Sequence, residues 1–219
     1  MSVYKSPGGI NIAKNQYIKF HQDFQDEHKI SCAILAGGKN IRMNGHNKAF
    51  LTTQNQTFVE RLIGELKDFD EIMISCANQE DYKKFNLKLV EDEIKDIGPL
   101  GGIYSCLKQA RNEHLFICAV DMPGIKKELV QFMTQFISSD YDAYLIKTAT
   151  KLEPVCAIYR KTLLPAMENS IKNKKYVILN PLDQGNVKYI SLKYSCFSDD
   201  IVSNINTRDE LTKYNDTHI

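Results

Sequence analysis

The apolar run ISCAILA (30–36), closed by Gly37 and Gly38, constrains this chain more than any other stretch. A strand without a polar face has to be covered on both sides, and helices are the usual cover. The segments that follow supply that cover. QTFVERLIGELKDF (56–69) carries Phe58, Val59, Leu62, Ile63, Leu66 and Phe69 at helical spacing. EIMISC (71–76), LKLVED (87–92) and HLFICAV (114–120) predict three more strands, with a short helix at EDYKKF (80–85). Pro99 suits a first helical turn, where its missing N–H is no loss, and that helix is expected to reach about Arg111. ELVQFMTQFI (128–137) reads as a helix, DAYLIK (142–147) and PVCAIY (154–159) as strands. A helix over 161–172, a strand at VKYISL (187–192) and a short last helix follow, the last marked by Thr207 and Glu210 at capping-box spacing. Strands alternating with amphipathic helices mean an α/β fold with a mainly parallel sheet. In such a fold the ligand is expected outside the carboxyl ends of the strands.

Residues 1–29 differ in kind: they are polar, contain Pro7-Gly8-Gly9 and have no apolar period. They are expected to be an extension, poorly ordered or docking a partner, ahead of one domain spanning 30–219. The 28 basic and 27 acidic residues give a net charge of +1, which excludes a surface built to coat nucleic acid. It leaves room for a local basic pocket. The six cysteines are scattered singly and mostly lie within apolar runs, so neither a disulfide framework nor a zinc site is expected. No stretch approaches the roughly 20 apolar residues of a membrane helix, and no signal-peptide core is visible, so a cytoplasmic location is expected.

Attention therefore falls on the strand ends. After the first strand comes Leu35-Ala36-Gly37-Gly38-Lys39-Asn40-Ile41-Arg42-Met43, with Lys48 ten residues past Gly38. Adjacent glycines let the backbone approach a ligand and aim N–H groups at phosphate oxygens. Arg42 can grip a phosphate with its planar fork, and Lys48 adds a compact charge. The loop is neither GxGxxG nor GxxxxGK[ST], so on its own it also reads as a glycine turn beside two solvated cations. Glu91-Asp92 follows the third strand and Asp121-Met122-Pro123 the fourth. An aspartate at the carboxyl edge can hold magnesium, or simply cap a turn. His46 is read as a surface loop residue.

LAGGKNIRM with Lys48, then VED, IGPLGGI (97–103) and AVDMP (119–123), in this order and spacing, resembles the molybdenum cofactor guanylyltransferases. Glu153-Pro154-Val155 and Asn204-Ile205-Asn206-Thr207 extend the resemblance over about residues 30–213. It implies a three-layer Rossmann-like nucleotidyltransferase fold that transfers GMP from GTP to molybdopterin with Mg2+, releasing pyrophosphate. Carried over, Leu35, Ala36 and Gly37 would contact the nucleotide through main chain and Lys48 would bind its phosphates. Asp92 would contact the guanosine part and Asp121 would hold the magnesium, with Arg42, Lys48 and Asp121 as the catalytic set. Ser75 stands where the family commonly has asparagine near the nucleotide, and Asn206 where related transferases often carry an aspartate near the metal. Partners implied are GTP, molybdopterin and proteins that insert molybdenum or receive the cofactor; no nucleic acid or membrane is implied.

The chain departs from the family's RMG-x-D-K pattern, with Asn44 at the glycine and Asn47 at the aspartate. Asn44 tolerates left-handed backbone angles, whereas Asn47 removes a carboxylate beside Lys48. Two other readings stay open. One is a cytidylyltransferase of the same fold, acting on a molybdopterin, isoprenoid or sugar phosphate. Those enzymes usually show LAAG, and Gly37 in place of the second alanine would make room beside a purine. The other is a non-catalytic nucleotide-binding chaperone of molybdenum enzymes, which would be expected to lack Lys48 or Asp121.

Overall fold

The structure, a computed structural model, describes residues 3–5, 11–13, 29–37, 42–43 and 46–217. A seven-stranded sheet forms its centre. The strands are β1 (Ile30–Leu35), β2 (Glu71–Ser75), β3 (Lys88–Val90), β4 (His114–Ala119), β5 (Ala143–Lys147), β6 (Leu152–Arg160) and β7 (Val187–Ser191). Across the sheet they run β7-β5-β6-β4-β1-β2-β3. All neighbours are parallel except β6, which runs antiparallel to both β4 and β5.

The apolar runs are explained by the two cores that the sheet separates. Alternate residues of each strand point to opposite faces. Cys32, Ile34, Phe116, Cys118, Tyr144, Ile146, Cys156 and Ile158 enter one core. Ala33, Leu115, Ile117, Ala143, Leu145, Ala157 and Tyr159 enter the other. The first is covered by α1 (Phe58–Leu66) and α3 (Lys127–Thr134), through Phe58, Val59, Leu62, Leu66, Leu129, Val130 and Met133. The second is covered by α2 (Pro99–Gln109), α4 (Leu164–Lys172) and the short α5 (Leu179–Leu182), through Leu100, Ile103, Leu107, Met167 and Leu182. This is the three-layer α/β arrangement. The five core cysteines are buried as single thiols within it, and Cys196 is exposed.

Local chemistry sets the element ends. Helix α1 starts two residues after the predicted segment, because Gln56–Thr57 pairs with Thr52–Thr53 in a two-residue hairpin. Thr57 and Glu60 then close a capping box, which secures two of the N–H groups that every helix start leaves open. Helix α3 ends at Thr134, three residues short of the predicted segment. A last helix, α6 (Arg208–Thr217), begins at the Thr207–Glu210 pair, where the Glu210 carboxylate accepts from the Asn206 and Thr207 amides at 2.6 and 3.0 Å. Within residues 1–29, the described segments Val3–Lys5 and Asn11–Ala13 pair antiparallel, an element that the absence of any apolar period did not predict. Among the described residues no helix is long and apolar enough to cross a membrane.

Candidate active site

Four parallel strands end side by side, and each delivers a residue to one cleft. Leu35 comes from β1, Ser75 from β2, Asp92 from just beyond β3 and Asp121 from just beyond β4. Backbone hydrogen bonds continue past the strands and hold these ends together: Ala36 N–H to Ser75 O, Cys76 N–H to Val90 O and Val120 N–H to Leu35 O, at 2.8–3.0 Å. The cleft measures about 660 Å3, and Gly37, Lys48, Gly102, Val155 and Asn204 also line it. A volume of that order suits a nucleotide-sized ligand.

At the cleft's β4 end a buried cation faces a carboxylate. Lys48 opens a single 3-10 turn, Lys48–Phe50, and is buried along its length. Its ammonium lies 2.6 Å from Asn206 Oδ1 and 3.4 Å from Asp121 Oδ2. The other Asp121 oxygen accepts from Asn204 Nδ2 at 3.1 Å, and the Asp121 carbonyl accepts from the Ile205 amide at 2.8 Å. Residues 204–206 therefore cross the end of β4 as an extended segment. Ile205 faces the core and the asparagines flanking it face Asp121 and Lys48. Sequence reasoning placed Asn206 near the metal position but missed Asn204; polar residues two apart around a buried isoleucine are the signal for it.

At the other end Asp92 is half-buried, and its Oδ1 accepts from the Ser75 hydroxyl at 3.2 Å. Burial pushes the Asp92 carboxyl above the usual carboxylate range, and the Ser75 hydrogen bond works against that rise. The GPLGG glycines at the start of α2 make the close approach of these groups possible. A Cβ on Gly102 would fall 2.9 Å from Ser75 Oγ and 3.1 Å from Leu35 Cδ2, and one on Gly101 would fall 2.8 Å from the Ile94 carbonyl. Alanine for glycine inside a helix ordinarily stabilises by about 1 kcal/mol. Here the backbone contact reverses the sign, and Gly101→Ala is expected to destabilise by about 1–2 kcal/mol in urea unfolding. A gain in stability would show that the loop after Asp92 yields freely.

The other predicted residues divide into three groups. Gly37 lies on the cleft wall, but a Cβ there would meet the Ser75–Ala77 backbone at an ordinary 3.8 Å. No protein atom requires glycine at that position, whereas at Gly102 the packing of Ser75 and Leu35 does. Ala36 is buried behind the wall, with its N–H given to Ser75 and its carbonyl accepting from Tyr82, so its main chain is engaged within the protein. Arg42 lies in a two-residue strand pair with Asn47, and the side chains of Arg42 and His46, with the whole of Asn44, lie outside the described residues. Asn47 keeps the turn of Lys48 capped: its Oδ1 accepts from the Ala49 amide at 3.0 Å. The counter-charge missing from position 47 is supplied by Asp121.

Asp121 suits a divalent cation that completes its shell with water and substrate phosphates. Magnesium is commonly held that way, by one or two carboxylates rather than a full protein cage. Among the described residues no group of three His, Cys, Asp or Glu side chains forms such a cage.

A buried lysine and a carboxylate face each other at the carboxyl edge of a three-layer sheet, with Asp92 and Ser75 further along the same cleft, an arrangement that suits a nucleotidyltransferase. The MobA-like NTP transferase domain matches residues 32–184. A probable molybdenum cofactor guanylyltransferase of Clostridium perfringens is 40% identical over 162 residues, covering 74% of this chain and 81% of that protein. The molybdenum cofactor guanylyltransferase of Desulfosudis oleivorans is 33% identical, covering 82% and 91%. Among solved structures, molybdopterin-guanine dinucleotide biosynthesis protein A from Archaeoglobus fulgidus superimposes with a TM-score of 0.74 at 24% identity, covering 85% of this chain and 97% of that one. The chain belongs to the molybdenum cofactor guanylyltransferases of the MobA-like NTP transferase family.

Proposed function

We propose that this enzyme transfers GMP from GTP to the terminal phosphate of molybdopterin, forming the guanine dinucleotide and pyrophosphate. The observation that carries this reading is the pairing, in one cleft, of the Lys48–Asp121 cation–carboxylate couple with the half-buried Asp92–Ser75 recess. The base lies toward Asp92, whose carboxylate matches the adjacent N–H donors on guanine's Watson–Crick edge. Cytosine presents only one amino donor on that edge. The phosphates run toward Lys48.

The reaction is an in-line displacement. An acceptor phosphate oxygen forms a bond to the α-phosphorus, the bond to the β-phosphate oxygen breaks, and pyrophosphate leaves. A phosphate is already ionised near pH 7, so no general base is needed. Positioning and charge stabilisation therefore account for the rate. The Lys48 ammonium offsets charge growing on the bridging oxygen, and Asn206 holds that ammonium in place from behind. Asp121 would hold magnesium, with Asn204 fixing the carboxylate's orientation. Magnesium bound there would polarise the α-phosphate.

The test is a nucleotide panel read by pyrophosphate release with molybdopterin as acceptor, alongside thermal melts. At about 100 times its Kd, GTP with magnesium should stabilise by about 2.7 kcal/mol, raising Tm by about 5–10 °C. CTP at the same concentration should give a clearly smaller shift. An equal or larger shift with CTP would overturn the guanine assignment.

A further inference from the structure

Tyr82 lies on the 3-10 helix Gln79–Phe85 that follows β2, outside every motif singled out in the sequence, and it is almost wholly buried. Its hydroxyl bridges two separate parts of the site. It accepts from Asn47 Nδ2 at 3.1 Å and lies 3.4 Å from the Ala36 carbonyl, to which it donates. Its ring stacks at 5.4 Å on Phe50, the last residue of the Lys48 turn. Two consequences follow from simple geometry. The Ala36 carbonyl and the Gly37 N–H belong to one trans peptide unit, so fixing the carbonyl toward Tyr82 fixes the N–H on the opposite side. Asn47 caps the Lys48 turn with its oxygen and reaches Tyr82 with its nitrogen, so one amide side chain ties that turn to the hydroxyl. A carboxylate at position 47 accepts but cannot donate; it would draw the tyrosine proton to itself and away from Ala36.

We propose that Tyr82, through Asn47, is a positioning residue that holds the Gly37 peptide and the Lys48 turn in fixed relation. The asparagine that departs from the family pattern supplies the donor this link requires. The inference rests on the reading of the cleft as a GTP site, with phosphates near Gly37 and Lys48 and the base near Asp92. The link acts on the phosphate half alone, which gives it a signature that general loosening of the fold would lack.

The experiment measures binding of GTP and of guanosine, by calorimetry, to the full chain and to Tyr82→Phe, Asn47→Ser and the double variant. Phenylalanine keeps the ring and its stacking, and serine keeps a capping acceptor, so each substitution removes the link without adding charge. Each single variant should bind GTP about 5- to 10-fold more weakly while guanosine affinity stays within about twofold. The double variant should be no weaker than the poorer single, because both break one chain of contacts. Wild-type GTP affinity in Tyr82→Phe, additive losses, or equal losses for guanosine would overturn the proposal. Failure of the unmodified chain to bind GTP would instead overturn the reading of the cleft. Should Tyr82→Phe not fold, the GTP-to-guanosine ratio in Asn47→Ser decides.

Discussion

Asp121→Ala is expected to lower guanylyl transfer by at least about 10³-fold while leaving the fold in place. The expectation follows from the proposed metal-holding role of this carboxylate, whose two oxygens are already aimed, one by Asn204 and one by Lys48. Its loss leaves the buried Lys48 ammonium without its carboxylate partner but still hydrogen-bonded to Asn206 at 2.6 Å, so a lower Tm is expected in a chain that still folds. The clasp on the end of β4 also survives, since the Ile205 amide binds the Asp121 main-chain carbonyl. Pyrophosphate release and a thermal melt on the same preparation check both halves of this expectation. More than about a tenth of wild-type turnover in the variant would refute the metal-holding role.

Lys48→Ala is expected to weaken GTP binding about 10- to 100-fold, the range for hydrogen bonds made by a charged donor to an anion. Turnover should fall as well, because in the proposed mechanism the same ammonium offsets charge on the bridging oxygen. Part of any change in Tm will come from the buried aliphatic stem rather than the charge. Lys48→Met separates the two: it fills the stem's volume without the ammonium, so it should show the same affinity loss with a smaller drop in Tm. Isothermal titration with GTP measures the first quantity. Unchanged affinity in both variants would remove Lys48 from the phosphate site.

The parts of this enzyme legible in its sequence are those where one residue type has one physical use. The run at 30–36 has no polar face, so it lies between two helical layers. The Thr207–Glu210 spacing marks a helix start and carries the hydrogen bonds expected of it. Leu35, Ser75, Asp92 and Asp121 stand at strand ends, and the parallel sheet brings those ends into one cleft. Other features were hidden for equally physical reasons. Apolar periodicity carries no direction, so PVCAIY (154–159) reads the same whether its strand runs with its neighbours or against them. The four-residue helix at Leu179–Leu182 is too short to show a period. Contacts between Lys48 and Asn206 span 158 positions, and those between Asn47 and Tyr82 span 35, so local pattern could not pair them.

The reversed direction of β6 has a consequence for the shape of the cleft. A strand that enters the sheet from the opposite side begins where its neighbours finish, so the turn between β5 and β6, residues 148–151, rises from the same edge as Asp121. Val155, just inside that strand, already lines the cleft. The cleft is thereby lined mostly by segments before residue 122, with Val155 and Asn204 joining from later in the chain. Lengthening or recolouring the hairpin at 148–151 would reshape that side of the cleft while leaving β1, β2, β3 and β4 in place. A fold wired in this way can remodel one side of its cleft by editing a turn.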